Sequence, residues 1–307
     1  MATMTETANM PHLNNVDADT LAETRESYER DGATVLRNVV PVQWLEALRE
    51  GTERLMRSAA PDEDLSRPGE GRFFGDLFAY LRVPEYRDFI MNSGVGKLAA
   101  EIMGAKTARF FYDQPLIKEP GTPKPTPWHQ DSAYWPCSGH QVMSVWVPLD
   151  PASPESGVVS YVKGSHKWNA YYPTVNWSDR EEVDFGQEPG NRDLSENPGP
   201  GATASQPRTI ADIRDHPENY DIVSWNVEPG DVLIHHMDTM HGAPGNMTQD
   251  RRRRAVALRF LGDDARWDDS RPHFMRIMKR QAPDFPYPKH QTGDLITDPL
   301  FPVVWQQ

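Results

Sequence analysis

The sequence predicts a mainly β chain in which a helix-rich first third caps an antiparallel jelly roll. Three observations carry that expectation. Leu45, Leu48 and Leu55 recur at spacings of three and seven, one stripe of a helix. From Thr107 onward the chain changes to short apolar or aromatic runs broken by proline and glycine. In "VMSVWVPLD" the side chains alternate as in a strand, with Met143, Val145, Val147 and Leu149 on one face and Ser144 and Trp146 on the other. With 307 residues, 37% of them hydrophobic, the chain can bury a sizeable core.

Taken in order, residues 1–16 lack periodicity and read as a disordered arm. Thr20 and Glu23 fit a capping box that starts a helix through "LAETRESYERD", and Gly32 stops it. A strand follows in "ATVLRNVV", and Pro41 suits the first position of a second helix. More helical pattern runs through "GDLFAYLRVPEYRDFIMNSGVGKLAAEIMG", broken at Pro84. Residues 17–105 therefore form the expected cap. The core spans 106–262, with further strands in "VVSYVKGSHKW", in "VLIHHM" after the tight turn "EPGD", and in "AVALRFLGDD". Residues 169–224, rich in proline, glycine and serine, read as a lid inserted over one mouth of the core. Residues 263–307 are a C-terminal tail of the same single domain.

Charge narrows the function. With 32 Lys and Arg against 45 Asp and Glu, the net charge of −13 opposes association with nucleic acid and anionic membranes. No apolar run is long enough to span a bilayer, and the N-terminus lacks the order of a secretion signal. Cys137 is the single cysteine, so no intramolecular disulfide forms, and a cytoplasmic protein with a small-molecule substrate is expected. The run "RRRR" at 251–254 is too short to reverse the global field.

Chemistry concentrates in "TPWHQDSAYW". His129 and Asp131 stand two apart, so an extended segment turns both to one face. Two histidines and a carboxylate on one triangular face suit iron(II) and leave the opposite face open. The third ligand should come from a later strand, and His241 in "HHMDTMHGAPGN" is the candidate. A second His-x-Asp, His236 and Asp238, would need His273 or His290, and neither precedes an arginine-led strand. If the open face chelates a dicarboxylate such as 2-oxoglutarate, the far carboxylate needs a buried cation, and "RRRRAVALRF" offers one. Elsewhere, His166 reads as a turn histidine bonded to backbone, Cys137 as a small buried filler and Lys118 as a solvated strand-end lysine. Tyr134 and Trp135 fit a pocket wall or the core equally. One arginine of the run should lie inside and its neighbours in solvent.

The segments "PWHQDSAYWP", "SVWVPLD", "GVVSYVKGSHK", "PGDVLIHHMDTMHGAPGN" and "RRRRAVALRF" resemble, in order from Tyr112 to Gly262, the phytanoyl-CoA dioxygenase family of iron(II)- and 2-oxoglutarate-dependent oxygenases. The resemblance implies a double-stranded β-helix, cupin-like core, with Fe(II), 2-oxoglutarate and O2 at a centre held by His129, Asp131 and His241. It also implies that Trp146 and Gln114 adjoin the cosubstrate. The family's arginine, counted eleven from the distal histidine, is Arg252; counted back from Phe260, it is Arg253. Strand alternation favours Arg253, which shares a face with Ala255 and Ala257, small enough to leave room for a ligand. Ala243 departs from the serine of many members, and Asp131 argues against the related halogenases. The implied reaction turns 2-oxoglutarate into succinate and CO2 while a small organic or natural-product substrate is hydroxylated. The alternative is a non-catalytic jelly-roll protein that binds metal or ligand.

Overall fold

The computed structural model describes residues 10–58, 65–66, 69–168, 170, 172 and 210–307. Helix α1, Ala18–Asp31, is capped not by Thr20 but by Asp17, whose carboxylate accepts the Thr20 backbone N–H at 2.8 Å. The Thr20 hydroxyl donates to the same carboxylate, so the helix begins earlier than the capping box predicted. Gly32 ends it at φ 77°, a left-handed turn where a Cβ would meet the His166 ring at 2.3 Å. The expected disordered arm is corrected over residues 10–16. Met10, Leu13 and Val16 pack on the core, Trp44 Nε1 donates to Pro11 O, and Leu13 N–H donates to Ser93 O.

Helix α2, Val42–Ser58, buries Leu45, Leu48 and Leu55, the predicted stripe, together with Trp44. Pro84 interrupts nothing; it starts α3, Pro84–Asn92, at the position where a missing N–H costs no bond, and α4 is Val95–Met103. The strands are β1 Ala33–Leu36, β2 Phe73–Gly75, β3 Thr107–Lys118, β4 Thr126–His129, β5 Cys137–Ser138, β6 Val142–Pro148, β7 Ser160–Val162, β8 Ile222–Ser224, β9 Val232–His236, β10 His241–Ala243, β11 Arg253–Leu261, β12 Arg266–Trp267 and β13 Val303–Gln306. A large antiparallel sheet runs β1-β9-β6-β11-β3-β13, with β2 also on β3. A small sheet runs β4-β10-β7-β8. These are the two layers of the predicted jelly roll, and they do not close into one barrel.

The alternation in β6 sorts the core. Met143, Val145 and Val147 join the helices in one large apolar cluster. Trp146 faces the other way, among Leu233, Ala255, Ala257 and Tyr161 between the two sheets. The tail contributes to the fold: β13 pairs with β3, and Phe274 and Met275 of α5, Phe274–Gln281, enter the core with Leu300 and Phe301. The expected lid falls largely on residues 173–209, outside the described residues.

Candidate metal centre

Strand β4 ends at His129, and the chain then turns, so that Asp131 opens a short 3-10 turn, Asp131–Ala133. The pair therefore straddles a strand end and a turn, not the continuous extended segment that the spacing suggested. Strand β10 runs antiparallel to β4 and sets His241 directly opposite His129. Their ring centroids are 4.1 Å apart. The Asp131 Oδ1 atom lies 3.7 Å from His129 Nε2 and 3.9 Å from His241 Nε2. One ligand atom from each residue falls within 4.8 Å of the others, and all three residues are buried. Among the described residues this is the one group arranged to hold a metal ion.

The surrounding bonds prepare these atoms. His129 Nδ1 lies 2.8 Å from Pro127 O, and His241 Nδ1 lies 2.9 Å from Thr239 O. A carbonyl only accepts, so each Nδ1 carries the proton and each Nε2 presents its lone pair to Asp131's side. Burial, reinforced by His129 and His235, pulls the His241 imidazole well below its usual value. Burial pushes the Asp131 carboxyl up, but His241, His129, His235 and Arg259 outweigh it and hold it well below the usual carboxylate range. Two imidazole nitrogens and one carboxylate, oriented from behind, are a donor set that fits iron(II).

Two residues behind Asp131 escaped the sequence reading. Ser144 Oγ donates to Asp131 Oδ2 at 2.8 Å, and His235 Nε2 lies 3.3 Å from the same oxygen. Both belong to one row of the large sheet, since Ser144 pairs with His235 across β6 and β9. Alternation in "VLIHH" carries the signal, because it turns His235 with Leu233 to the face of the metal ligands and His236 to the opposite face, where it is also buried. His236 Nε2 bonds to His140 O and His273 Nε2 to Asp269, so the rival His-x-Asp pair does not gather a third ligand.

Arg253, at the start of β11, is buried over the Trp146 ring, its guanidinium 5.8 Å from the ring centroid. Nη1 donates to Leu116 O, Nε has no partner, and burial lowers the guanidinium to about 10. Arg252 turns away from this interior, and Glu53 and Glu119 bind its guanidinium at the edge of the fold. Arg254 is held by Asp150 at 2.7 Å and Glu53 at 2.8 Å. The neighbours of the inner arginine are thus ion-paired and not simply solvated, because acidic residues of α2 and the adjoining loops meet them. Lys118 is likewise not the solvated lysine expected: it is fully buried, and Nζ donates to Pro244 O at 2.8 Å. Gln114 and Trp146 flank Ala257 on either side in register. Ala243 is buried in β10 and offers no hydroxyl. Tyr134 packs edge-on to His129, whereas Trp135 is core and donates to Tyr112 Oη. His166 Nε2 bonds to the Glu29 carbonyl, and Cys137 is a buried free thiol, as their contexts suggested.

The profile of the family described as Phytanoyl-CoA dioxygenase (PhyH) matches residues 28–255. The chain belongs to the phytanoyl-CoA dioxygenase family. It is 21% identical over 271 residues to the human peroxisomal phytanoyl-CoA dioxygenase, covering 80% of this chain and 70% of that protein. Two solved structures from nogalamycin biosynthesis share the fold. The non-heme alpha-ketoglutarate-dependent epimerase SnoN superposes with a TM-score of 0.68 at 20% identity, over 94% of this chain and all 100% of that one. The carbocyclase SnoK gives 0.67 at 23% identity, over 95% and 97%. As a member of the phytanoyl-CoA dioxygenase family, the chain is an oxidoreductase that depends on iron(II), 2-oxoglutarate and O2. Among the described residues no helix is long and apolar enough to cross a membrane.

Proposed function

We propose that this phytanoyl-CoA dioxygenase family member hydroxylates a small organic substrate at a centre where His129, Asp131 and His241 hold the iron. The observation that carries this reading is the convergence of three ligand atoms within 4.8 Å, with both Nδ1 atoms already bonded to backbone carbonyls. Iron(II) and 2-oxoglutarate, when bound, would supply the electrons that activate O2, the oxidant. The chain's part is to bind, orient and exclude water. Ser144 and His235 aim the Asp131 carboxylate; Arg253 pairs its fork with the far carboxylate of 2-oxoglutarate; Trp146 and Gln114 border that cosubstrate. Arg252, tied to two carboxylates, is the poorer anchor. Leu233, Ala255 and Ala257 keep the space between the sheets apolar.

SnoN and SnoK act in the biosynthesis of a natural product, and a natural-product-like molecule is the substrate class we favour here. The single buried cysteine agrees with a cytoplasmic location, which belongs to the same proposal. The test is spectroscopic. Iron(II) followed by 2-oxoglutarate under argon should raise a visible charge-transfer band, and O2 should bleach it with release of succinate. Metal binding without the band or succinate would instead mark a non-catalytic metal- or ligand-binding jelly roll.

A further inference from the structure

A second arginine lies inside the molecule, and the reading above gives it no ligand. Arg259 is 3% exposed, near the far end of β11. The pairing of β11 with β6 runs without a break from Ala255 to Leu261, so Arg259 shares the inward face of Arg253, Ala255 and Ala257. Six residues of strand separate the two arginines, roughly 20 Å. Arg259 pairs in register with Ser144, and Ser144 with His235, the two side chains that hold Asp131. Its row of the sheet is therefore the row behind the metal ligands, while Arg253 stands toward the opposite end.

No carboxylate bonds this charge directly, although Asp131 and Asp113 lie near enough to feel it. Nη1 donates to Ala257 O and Nη2 to Gln114 Oε1, both neutral acceptors at 2.8 Å. Nε is buried with no partner. Among the described residues Arg259 forms no ion pair within 4.0 Å, although Arg252 and Arg254 on the same strand each bind carboxylates. The guanidinium lies over the Tyr112 ring at 4.8 Å and 6.0 Å from that of Trp135, an aromatic seat that fixes its plane. A guanidinium is seldom buried without an anion, because the lost hydration is not recovered from neutral acceptors.

We propose that Arg259 is a specificity-determining residue whose partner is the oxyanion of the substrate, a carboxylate or phosphate ester. This rests on the reading that His129, Asp131 and His241 hold iron and that Arg253 takes 2-oxoglutarate. One arginine then serves each anion: Arg253 the cosubstrate, Arg259 the substrate.

The experiment uses the full chain loaded with iron(II) and 2-oxoglutarate under argon. The probes are benzoate and phenyl phosphate, with benzamide and phenol as uncharged counterparts. Binding is read from the visible band and the thermal midpoint. At least one anion should bind about 10-fold or more tighter than its uncharged counterpart, and Arg259→Gln should abolish that preference, a loss of about 10-fold or more. Arg259→Lys should retain part of it, and the concentration of 2-oxoglutarate that half-forms the band should stay within about 3-fold of wild type. Benzoate against phenyl phosphate tells a carboxylate site from a phosphate site. The proposal is overturned if no anion is preferred in the wild type, if the preference survives in Arg259→Gln, or if excess 2-oxoglutarate displaces the probe, which would put it at Arg253. Should Arg259→Gln fail to fold, wild type and Arg259→Lys still decide through the anion preference and the displacement. Failure of the band to form in the wild type would count against the iron and 2-oxoglutarate reading; a normal band without anion preference would sink this inference alone.

Discussion

Lys118 and Arg253 stand side by side in register on β3 and β11, both buried, and among the described residues neither forms an ion pair. Burial, with Arg253 as the next contributor, pulls the Lys118 ammonium well below its usual value. Burial likewise draws Arg253 down to about 10. Two adjoining basic groups with backbone carbonyls as their partners are poised for an anion. The far carboxylate of 2-oxoglutarate is such an anion, and its arrival would favour the charged form of both.

The first prediction ranks the arginines. Leaving a buried carboxylate unpaired costs roughly 2–5 kcal/mol. Arg253→Ala should therefore raise the 2-oxoglutarate concentration needed for succinate formation by about 30-fold or more, whereas Arg252→Ala should change it little. Titrations of the two variants check the order, and the reverse order would reject Arg253 as the anchor.

The triad makes the second prediction. His129→Ala, Asp131→Ala and His241→Ala each remove one of three donors from a centre that stays open on one side. Each variant should keep its circular dichroism spectrum, lose bound iron on gel filtration and form no succinate. An Asp131→Ala protein that retained iron at wild-type stoichiometry would contradict the assignment.

Ser144 supports a third. Its hydroxyl fixes the Asp131 oxygen that lies away from the two Nε2 atoms. Outer-sphere partners of this kind are worth about 10–100-fold in metal affinity. Ser144→Ala should weaken iron binding by that factor under competition with a chelator, with fold and Arg253 untouched.

Much of this was legible in the sequence, and the residues show why. The period-2 alternation of "VMSVWVPLD" is a direct consequence of strand geometry, so Trp146 and Val145 fell on the correct faces. The same alternation in "RRAVALRF" singled out Arg253 as the inward arginine. Charged side chains were harder. Lys118 read as solvated and Arg254 as free because their partners, Pro244, Asp150 and Glu53, come from distant segments that only the folded chain brings near. Thr20 with Glu23 carries the more familiar capping pattern, yet Asp17, one turn earlier, caps α1 because its carboxylate reaches the Thr20 N–H.

Arg254 now carries a stability prediction. Its side chain is 12% exposed and that of Asp150 14%, so their bond is only partly screened by solvent. Removing one member strands the other. Arg254→Ala should cost about 2 kcal/mol, less than for a fully buried pair. The measurement is urea denaturation of the metal-free protein, and a wild-type midpoint would show that the network contributes nothing.

Asp113 gives the last prediction, one of pH. It is fully buried on β3; Oδ1 accepts the Tyr80 N–H at 3.1 Å and Oδ2 has no partner. Burial pushes its carboxyl up to about 7, against the Tyr80 bond, which pulls it down. In the unfolded chain the same group titrates near 3.9. Between about pH 4 and 7 the folded state therefore keeps a proton that the unfolded state has released. The folded state binds more protons there, so Asp113's contribution to stability is fully present below about pH 4 and is lost as pH rises through about 7. Asp113→Asn keeps the Oδ1 acceptor and cannot ionise. Its thermal midpoint should gain on that of the wild type as pH rises across this window, with the difference levelling off above about 8. Melting curves of the two proteins that stay parallel from about pH 4.5 to 7.5 would mean that Asp113 is ionised throughout and that another group neutralises it.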